Sequence, residues 1–260
     1  MGLNSSRQDS VNTFVALCSD ASSAQEQICA AAAAENHVVN ASSDAGQLAL
    51  VAALEAGHST AALWLISDPF GNLRINNASE VEGTSALLAA CSFAPPTAAA
   101  EAAAVEMNMN GKDEYSSAGA GLLVLRALLD KWGPSKLKFD HCDSNGWSAL
   151  HHCAFHGHTE AAELLLSAEA AQAQGGGGGG AAATLDHYGQ SPLHVAAARG
   201  DASLGLLRLL LARCYCSVHS LSDLQWRDKD AQTAEDVAET AEAVQLLQAH
   251  ALSLAARGEC

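Results

Sequence analysis

The side chains best suited to chemistry gather in one segment of the chain, between residues 141 and 158. This segment is rich in the two residue types that most often bind zinc, with His141, Cys142, His151, His152, Cys153, His156 and His158. Structural zinc sites usually place their ligands in Cys-x-x-Cys or His-x-x-x-His pairs on rigid turns, and outside a repeated pattern described below the spacing is unmatched. Metal binding or a metal-dependent activity around His151–His158 is therefore kept as an alternative, and no residue is assigned as a metal ligand.

Other catalytic arrangements find less support. A nucleophile built from Cys153 and its neighbouring histidine is disfavoured because adjacent residues of a helix point about 100° apart. Cys214 and Cys216 are one residue closer than a redox Cys-x-x-Cys pair. The glycine run at 175–180 lacks the Gly-Lys-Ser/Thr ending of a phosphate-binding loop. We therefore expect no catalytic residue, no cofactor and no enzymatic activity.

The elements that position these side chains form a repeat. The segment 143–166, DSNGWSALHHCAFHGHTEAAELLL, returns as 186–211, DHYGQSPLHVAAARGDASLGLLRLLL. In each copy an Asp-x-x-Gly turn leads to a serine that can cap a short helix, and a glycine ends that helix before a second, leucine-rich helix. Helices this short are marginal alone, so each pair must bury its apolar face against a similar neighbour.

These residues resemble the ankyrin repeat, whose signature is Thr-Pro-Leu-His-x-Ala followed by Gly-His and a second helix rich in leucine. Residues 191–196, SPLHVA, differ from it at one conservative position, and 148–153, SALHHC, keep the Leu-His pair. The resemblance implies an all-α solenoid of about five to six helix-turn-helix units with degenerate terminal capping repeats. It also implies that His151 and His158 are framework residues and that the default role is protein binding through a groove.

Weaker copies extend the pattern in both directions. In the last one, Thr233 with Asp236 three residues later predicts a capping box. We expect residues 1–9 to be an N-terminal tail, 10–250 the ankyrin-repeat domain and 251–260 a C-terminal tail. The expected units are 10–40, 41–76, 77–138 with an insertion at 93–117, 139–180 ending in a glycine-rich loop, 181–222 and 223–250.

The insertion at 93–117 is too long for an ordinary connection. It contains Pro95-Pro96 and an alanine tract, and its composition favours disorder with a short helix. A second hypothesis for function is that this insertion is itself the docking segment.

The charge of the chain limits its partners. A formal net charge of −16 repels nucleic acid and anionic lipid, so a protein is the expected partner, and a charged one would more often carry a basic surface. The cysteines show no disulfide framework and no apolar run is long enough to span a membrane. We expect a cytoplasmic protein with reduced thiols.

The N-terminal residues suggest one route to a membrane. Met1-Gly2-Leu3-Asn4-Ser5-Ser6 fits the N-myristoylation pattern, in which Gly2 is acylated after removal of the methionine. A single acyl chain binds membranes marginally, so we expect at most weak and reversible membrane association.

The residues expected to bind a partner lie on the hairpin tips and at the exposed end of the first helix of each clear repeat. They are Ser144, Asn145, Trp147, Phe155 and His156 in one copy and His187, Tyr188, Gln190 and Arg199 in the next. Aromatic anchors carry much of the binding energy in protein interfaces, and three of these residues are aromatic in a chain with few aromatics.

Overall fold

The computed structural model describes residues 5–20, 25–34, 36–67, 73–92, 119–133, 135–173, 184–214 and 224–258. Within these ranges the chain forms eleven α-helices and two 3-10 helices, and its β-type contacts are isolated antiparallel bridges. The all-α class predicted from the sequence is therefore confirmed. Gly2, the insertion at 93–117 and the glycine run at 175–180 lie outside the described residues.

The sequence predicted one repeat domain over 10–250, whereas the structure divides into two compact units, Met1–Lys138 and Phe139–Cys260. Because each repeat of a stack contacts only its neighbours, such a chain can divide at a junction between repeats.

The first unit stacks helix pairs in two layers. Its helices are α1 Ser5–Ser19, α2 Gln25–Ala34, α3 Ala49–Glu55, α4 Ser59–Ile66, α5 Ala86–Ser92 and α6 Gly119–Trp132, with a 3-10 helix at Asn36–Asn40. The first members α1, α3 and α5 pack in series, and α2, α4 and α6 form the second layer. Because α1 begins at Ser5, the expected tail of nine residues is partly helical. Val11 and Phe14 on α1 are buried and explain why this helix is held in the stack.

The second unit repeats this arrangement and contains the two clear copies. Its helices are α7 Ala149–His156, α8 Thr159–Ala173, α9 Pro192–Ala198, α10 Leu204–Arg213 and α11 Ala241–Gly258, with a 3-10 helix at Gly200–Ser203. Helix α7 packs on α9, and α8 and α11 each pack against α10. The expected tail at 251–260 is helical as far as Gly258 because Leu254 is fully buried and continues the apolar face of Leu247.

Hairpin fingers precede the helix pairs and carry the same aspartate in the second unit. The Oδ1 atom of Asp143 accepts the backbone N–H groups of Asn145 and Trp147, both at 2.8 Å, and Asp186 and Asp228 do the same in the next two fingers. Backbone hydrogen bonds join successive fingers. The N–H of His187 donates to the carbonyl oxygen of Asn145 at 3.0 Å. These bonds fix the register in which side chains of successive repeats meet.

One buried histidine in each clear repeat links that repeat to the following one. The backbone N–H of Ser148 donates to His151 Nδ1 at 3.1 Å, so Nδ1 is the acceptor and Nε2 carries the ring proton. His151 Nε2 then donates to the carbonyl oxygen of Gln190 at 3.1 Å. His194 makes the equivalent bonds to Ser191 and to the carbonyl oxygen of Trp226. Both imidazoles are neutral, and burial is the main cause that lowers the pKa of each.

Candidate protein-binding site

The two aromatic residues predicted for α7 and its finger form a contact pair. Trp147 is the last residue of its finger and Phe155 lies in the last turn of α7, and their ring centroids are 5.2 Å apart with the ring planes at 51°. Both side chains are half-buried. Trp147 also has a structural role, because its Nε1 donates to Asp186 Oδ2 of the next finger at 3.2 Å.

Arg199 joins this pair from the next repeat. Its Nε donates to the carbonyl oxygen of Phe155 at 2.9 Å, and its Cζ lies 4.4 Å from the centroid of the Phe155 ring. The guanidinium is therefore held by a hydrogen bond and by a cation–π contact on the same residue. The backbone carbonyl belongs to the last turn of α7, where the helix dipole also favours a cation.

Histidines surround the aromatic pair. The ring of His156 meets the Phe155 ring edge-on at 5.1 Å, and His158 stacks on His156 at 5.4 Å. Burial lowers the pKa of His156, and the neighbouring His158, His152 and Arg199 lower it further. At neutral pH this imidazole is mainly uncharged.

His152 also contacts the Trp147 ring and connects it to the finger. The two rings are 5.4 Å apart and edge-on, and His152 Nε2 lies 3.2 Å from Asp143 Oδ2. Burial alone would raise the pKa of Asp143, but hydrogen bonds from His152 and from the backbone N–H groups of Trp147 and Asn145 lower it. His152 and His158 were not among the expected binding residues. The signal in the sequence was the histidine-rich composition of α7, which also resembles a set of metal ligands.

The nine expected residues therefore separate into three groups. Trp147, Phe155, His156 and Arg199 lie together, and we call these four residues the aromatic-basic patch. Gln190 is half-buried and acts in the framework, because its Nε2 donates to Asp228 Oδ2 at 3.2 Å. The remaining four, Ser144, Asn145, His187 and Tyr188, are exposed on the finger tips, with Tyr188 65% exposed.

The aromatic residues of the patch are not a requirement of the repeat. In the other described finger-and-helix pairs, the positions equivalent to Trp147 and Phe155 carry polar or small residues: Gln47 and Glu55, Thr84 and Ser92, Gln190 and Ala198, and Gln232 and Thr240. Gln190 makes the same kind of bond to the following aspartate that Trp147 makes. The fold thus tolerates polar or small residues at the two positions where this one repeat has aromatic rings.

The histidine and cysteine cluster does not form a metal site among the residues that the structure describes. No group of three or more His, Cys, Asp or Glu side chains there is arranged to hold a metal ion. The Nδ1 and Nε2 atoms of His151 are occupied by Ser148 and Gln190, and Cys153 is fully buried.

Comparison with protein families supports the resemblance seen in the sequence. Residues 116–222, which include helices α6 to α10, match the family model described as ankyrin repeats (3 copies). A search of curated proteins gives no match. The matched segment contains both clear copies, whose stacked helix pairs agree with the sequence pattern and whose buried histidines bond to the serines that begin the helices. Residues 116–222 of the chain are therefore ankyrin repeats.

Proposed function

We propose that this protein is a non-enzymatic adaptor that binds another protein through the aromatic-basic patch and the finger tips beside it. Ankyrin repeats are protein-interaction modules and the family is typically non-enzymatic. The observation that carries the proposal is the convergence of Trp147, Phe155 and Arg199 at positions where the other repeats have no such group. Aromatic residues and arginine are the side chains most often found at the energetic centre of protein interfaces.

The side chains of the aromatic-basic patch are preorganised for binding. The Trp147 ring is fixed by its bond to Asp186, and the Arg199 side chain is fixed on Phe155. A partner that covers these groups would lose little additional side-chain entropy from the protein, which removes part of the usual cost of association. The half-buried rings still offer apolar surface to a partner.

The test uses residues that the chain itself places at these positions. We would replace Trp147 by Gln and Phe155 by Ala, which copies the pair in the next repeat and keeps a donor for Asp186. Proximity labelling in the source cell is then compared for the wild type, this double variant and the control Leu252→Ala. Leu252 lies on α11 and is 71% exposed, so it controls for loss of exposed apolar surface.

We expect the double variant to lose a specific subset of labelled proteins that the control retains, while far-UV circular dichroism stays unchanged. An identical set of labelled proteins for all three chains would refute the proposal that this patch binds a partner.

Weak membrane association through Gly2 remains a proposal from sequence alone. None of the described helices combines the length and the apolar composition needed to cross a bilayer. The intact mass of the protein isolated from its native host tests the acylation, because a Gly2 terminus without the mass of an acyl chain would end this proposal.

A further inference from the structure

The aromatic-basic patch differs in charge from the chain that carries it. The chain has a formal net charge of −16, which by itself favours a basic partner. At the patch, however, Arg199 lies over the Phe155 ring and the ring of His156 meets the same residue edge-on. Local charge, rather than net charge, decides which groups a partner can place in contact with Phe155.

Among the described residues, no carboxylate forms an ion pair with Arg199. Asp143 accepts bonds from its own finger and from His152, and Asp186 accepts bonds from its finger and from Trp147 Nε1. Glu239 lies beside Gly200 and forms no ion pair with Arg199 in the described part of the chain.

The guanidinium of Arg199 can donate a pair of hydrogen bonds to a partner. Its Nε is used by the carbonyl oxygen of Phe155 and its face is used by the Phe155 ring. Among the described residues its two terminal Nη groups have no hydrogen-bond acceptor, and the residue is exposed. A planar pair of N–H donors held in a fixed orientation matches the two oxygens of a carboxylate.

We propose that the occupant of this patch is a protein segment that places an Asp or Glu carboxylate on the Nη groups of Arg199 and an apolar side chain on Trp147 and Phe155. This inference rests on the proposed function and specifies the chemistry of the partner. A polyanion such as nucleic acid fits less well, because the net negative charge of the chain would repel the phosphates that do not contact Arg199. A single carboxylate interacts mainly with the positive charge of Arg199.

The position of Arg199 in the repeat supports a specific role. The equivalent position is alanine in two other described repeats, Ala56 and Ala241, and histidine at His156. The scaffold therefore does not need a guanidinium here.

The test begins with a random linear-peptide library displayed on phage and selected on the full chain. Peptides that no longer bind the Trp147→Gln/Phe155→Ala variant are retained as ligands of the patch. We expect these peptides to be enriched in Asp or Glu next to an aromatic or aliphatic residue. Their dissociation constants are then measured for the wild type, Arg199→Gln, Arg199→Lys and the control Arg213→Gln, which removes an exposed arginine from α10.

We expect Arg199→Gln to weaken binding roughly tenfold or more, the usual scale for losing a bidentate charged contact, and Arg213→Gln to leave it unchanged. Arg199→Lys keeps the charge without the paired donors and should fall between them. Replacing the acidic residue of the peptide by its amide should weaken binding to the wild type but not to Arg199→Gln, because the two changes remove the same contact.

The possible outcomes distinguish failure of the carboxylate proposal from failure of the proposed function. Patch-dependent peptides without acidic residues, or peptides that bind Arg199→Gln as tightly as the wild type, would overturn the carboxylate proposal and leave the patch as a protein-binding site. If the selection returns no peptide that depends on Trp147 and Phe155, both the inference and the proposed function are wrong.

Discussion

The paired histidines predict that the second unit loses stability as the pH falls through the histidine range. His151 is fully buried, and both of its ring nitrogens hold bonds that require the neutral form: Nδ1 accepts the N–H of Ser148, and Nε2 donates to the carbonyl oxygen of Gln190. A proton added at Nδ1 would face the Ser148 N–H and break that bond. His194 has the same arrangement one repeat later.

The sign follows from proton binding. Burial holds the folded pKa of both histidines below the ordinary value of 6.5, so the unfolded chain takes up protons first as the pH falls. Their contribution is complete above about pH 6.5 and is lost as the pH falls toward the folded pKa. Between about pH 7.5 and 5.5 each histidine lowers the free energy of unfolding by at most about 1.4 kcal/mol, and the pair by at most about 3 kcal/mol.

The assay is urea unfolding followed by far-UV circular dichroism over this pH range. The informative variant is His151→Leu, because Leu88 occupies the equivalent position in the first unit and is 1% exposed there. Leucine leaves the Ser148 N–H and the Gln190 carbonyl oxygen without their partner, so the variant should be less stable at every pH by about 1–3 kcal/mol.

The pH dependence of the free energy of unfolding, and not its absolute value, tests whether the neutral imidazole is responsible. The decrease in the free energy of unfolding between about pH 7.5 and pH 5.5 should be smaller by up to about 1.4 kcal/mol in His151→Leu than in the wild type. It should be unchanged in His187→Gln, which replaces an exposed histidine of a finger tip. If the wild type and His151→Leu lose the same amount on acidification, the argument from the neutral imidazole is wrong.

Four further substitutions test backbone strain and the packing between repeats by urea unfolding. Gly157 and Gly189 both have a left-handed backbone, but an added Cβ would lie 2.2 Å from the Ala202 carbonyl oxygen at Gly157 and 3.3 Å from its nearest neighbour at Gly189. We expect Gly189→Ala to cost about 1–2 kcal/mol and Gly157→Ala about 1–3 kcal/mol more, and equal costs would contradict the predicted clash. Ala231 has φ 61° where the other fingers of its unit have glycine, so Ala231→Gly should stabilise by about 0.5–1 kcal/mol, and a loss of stability would show that this backbone is not strained. Ser203 donates at 2.7 Å to a buried carbonyl oxygen of the preceding repeat, so Ser203→Ala should cost about 1–3 kcal/mol, and a neutral effect would mean that the carbonyl finds another donor.

Much of the fold was predictable because each local signal agreed with the repeat. Ser148 and Ser191 begin helices, Gly157 ends one in the left-handed conformation, and Thr233 and Asp236 form the predicted capping box. The ends of two helices were not predictable from the sequence. α8 reaches Ala173 and α11 reaches Gly258 because alanine-rich sequence carries no stop signal, and only burial in the tertiary structure decides where such helices end.

The candidate site was predictable in part. Composition and repeat position were enough to select Trp147, Phe155 and Arg199, but the contact of Arg199 with Phe155 depends on two neighbouring repeats meeting in one register. The framework bond of Gln190 to Asp228 also joins two repeats, whereas the ring contacts of Trp147 with His152 and Phe155 form within one repeat. The sequence of one repeat therefore identifies these residues but does not show which of them meet across repeats.

The bonds from His151 to Gln190 and from His194 to Trp226 run in one direction along the chain. Each donor belongs to one repeat and its acceptor to the following one, so in this unit a repeat is completed only when its successor is present. A chain shortened from its carboxyl end would leave the last remaining imidazole buried without an acceptor, and the same defect would reappear one step earlier with each further deletion. Translation from the amino terminus would meet the same requirement in time, since each new repeat would be satisfied only after the next had been made.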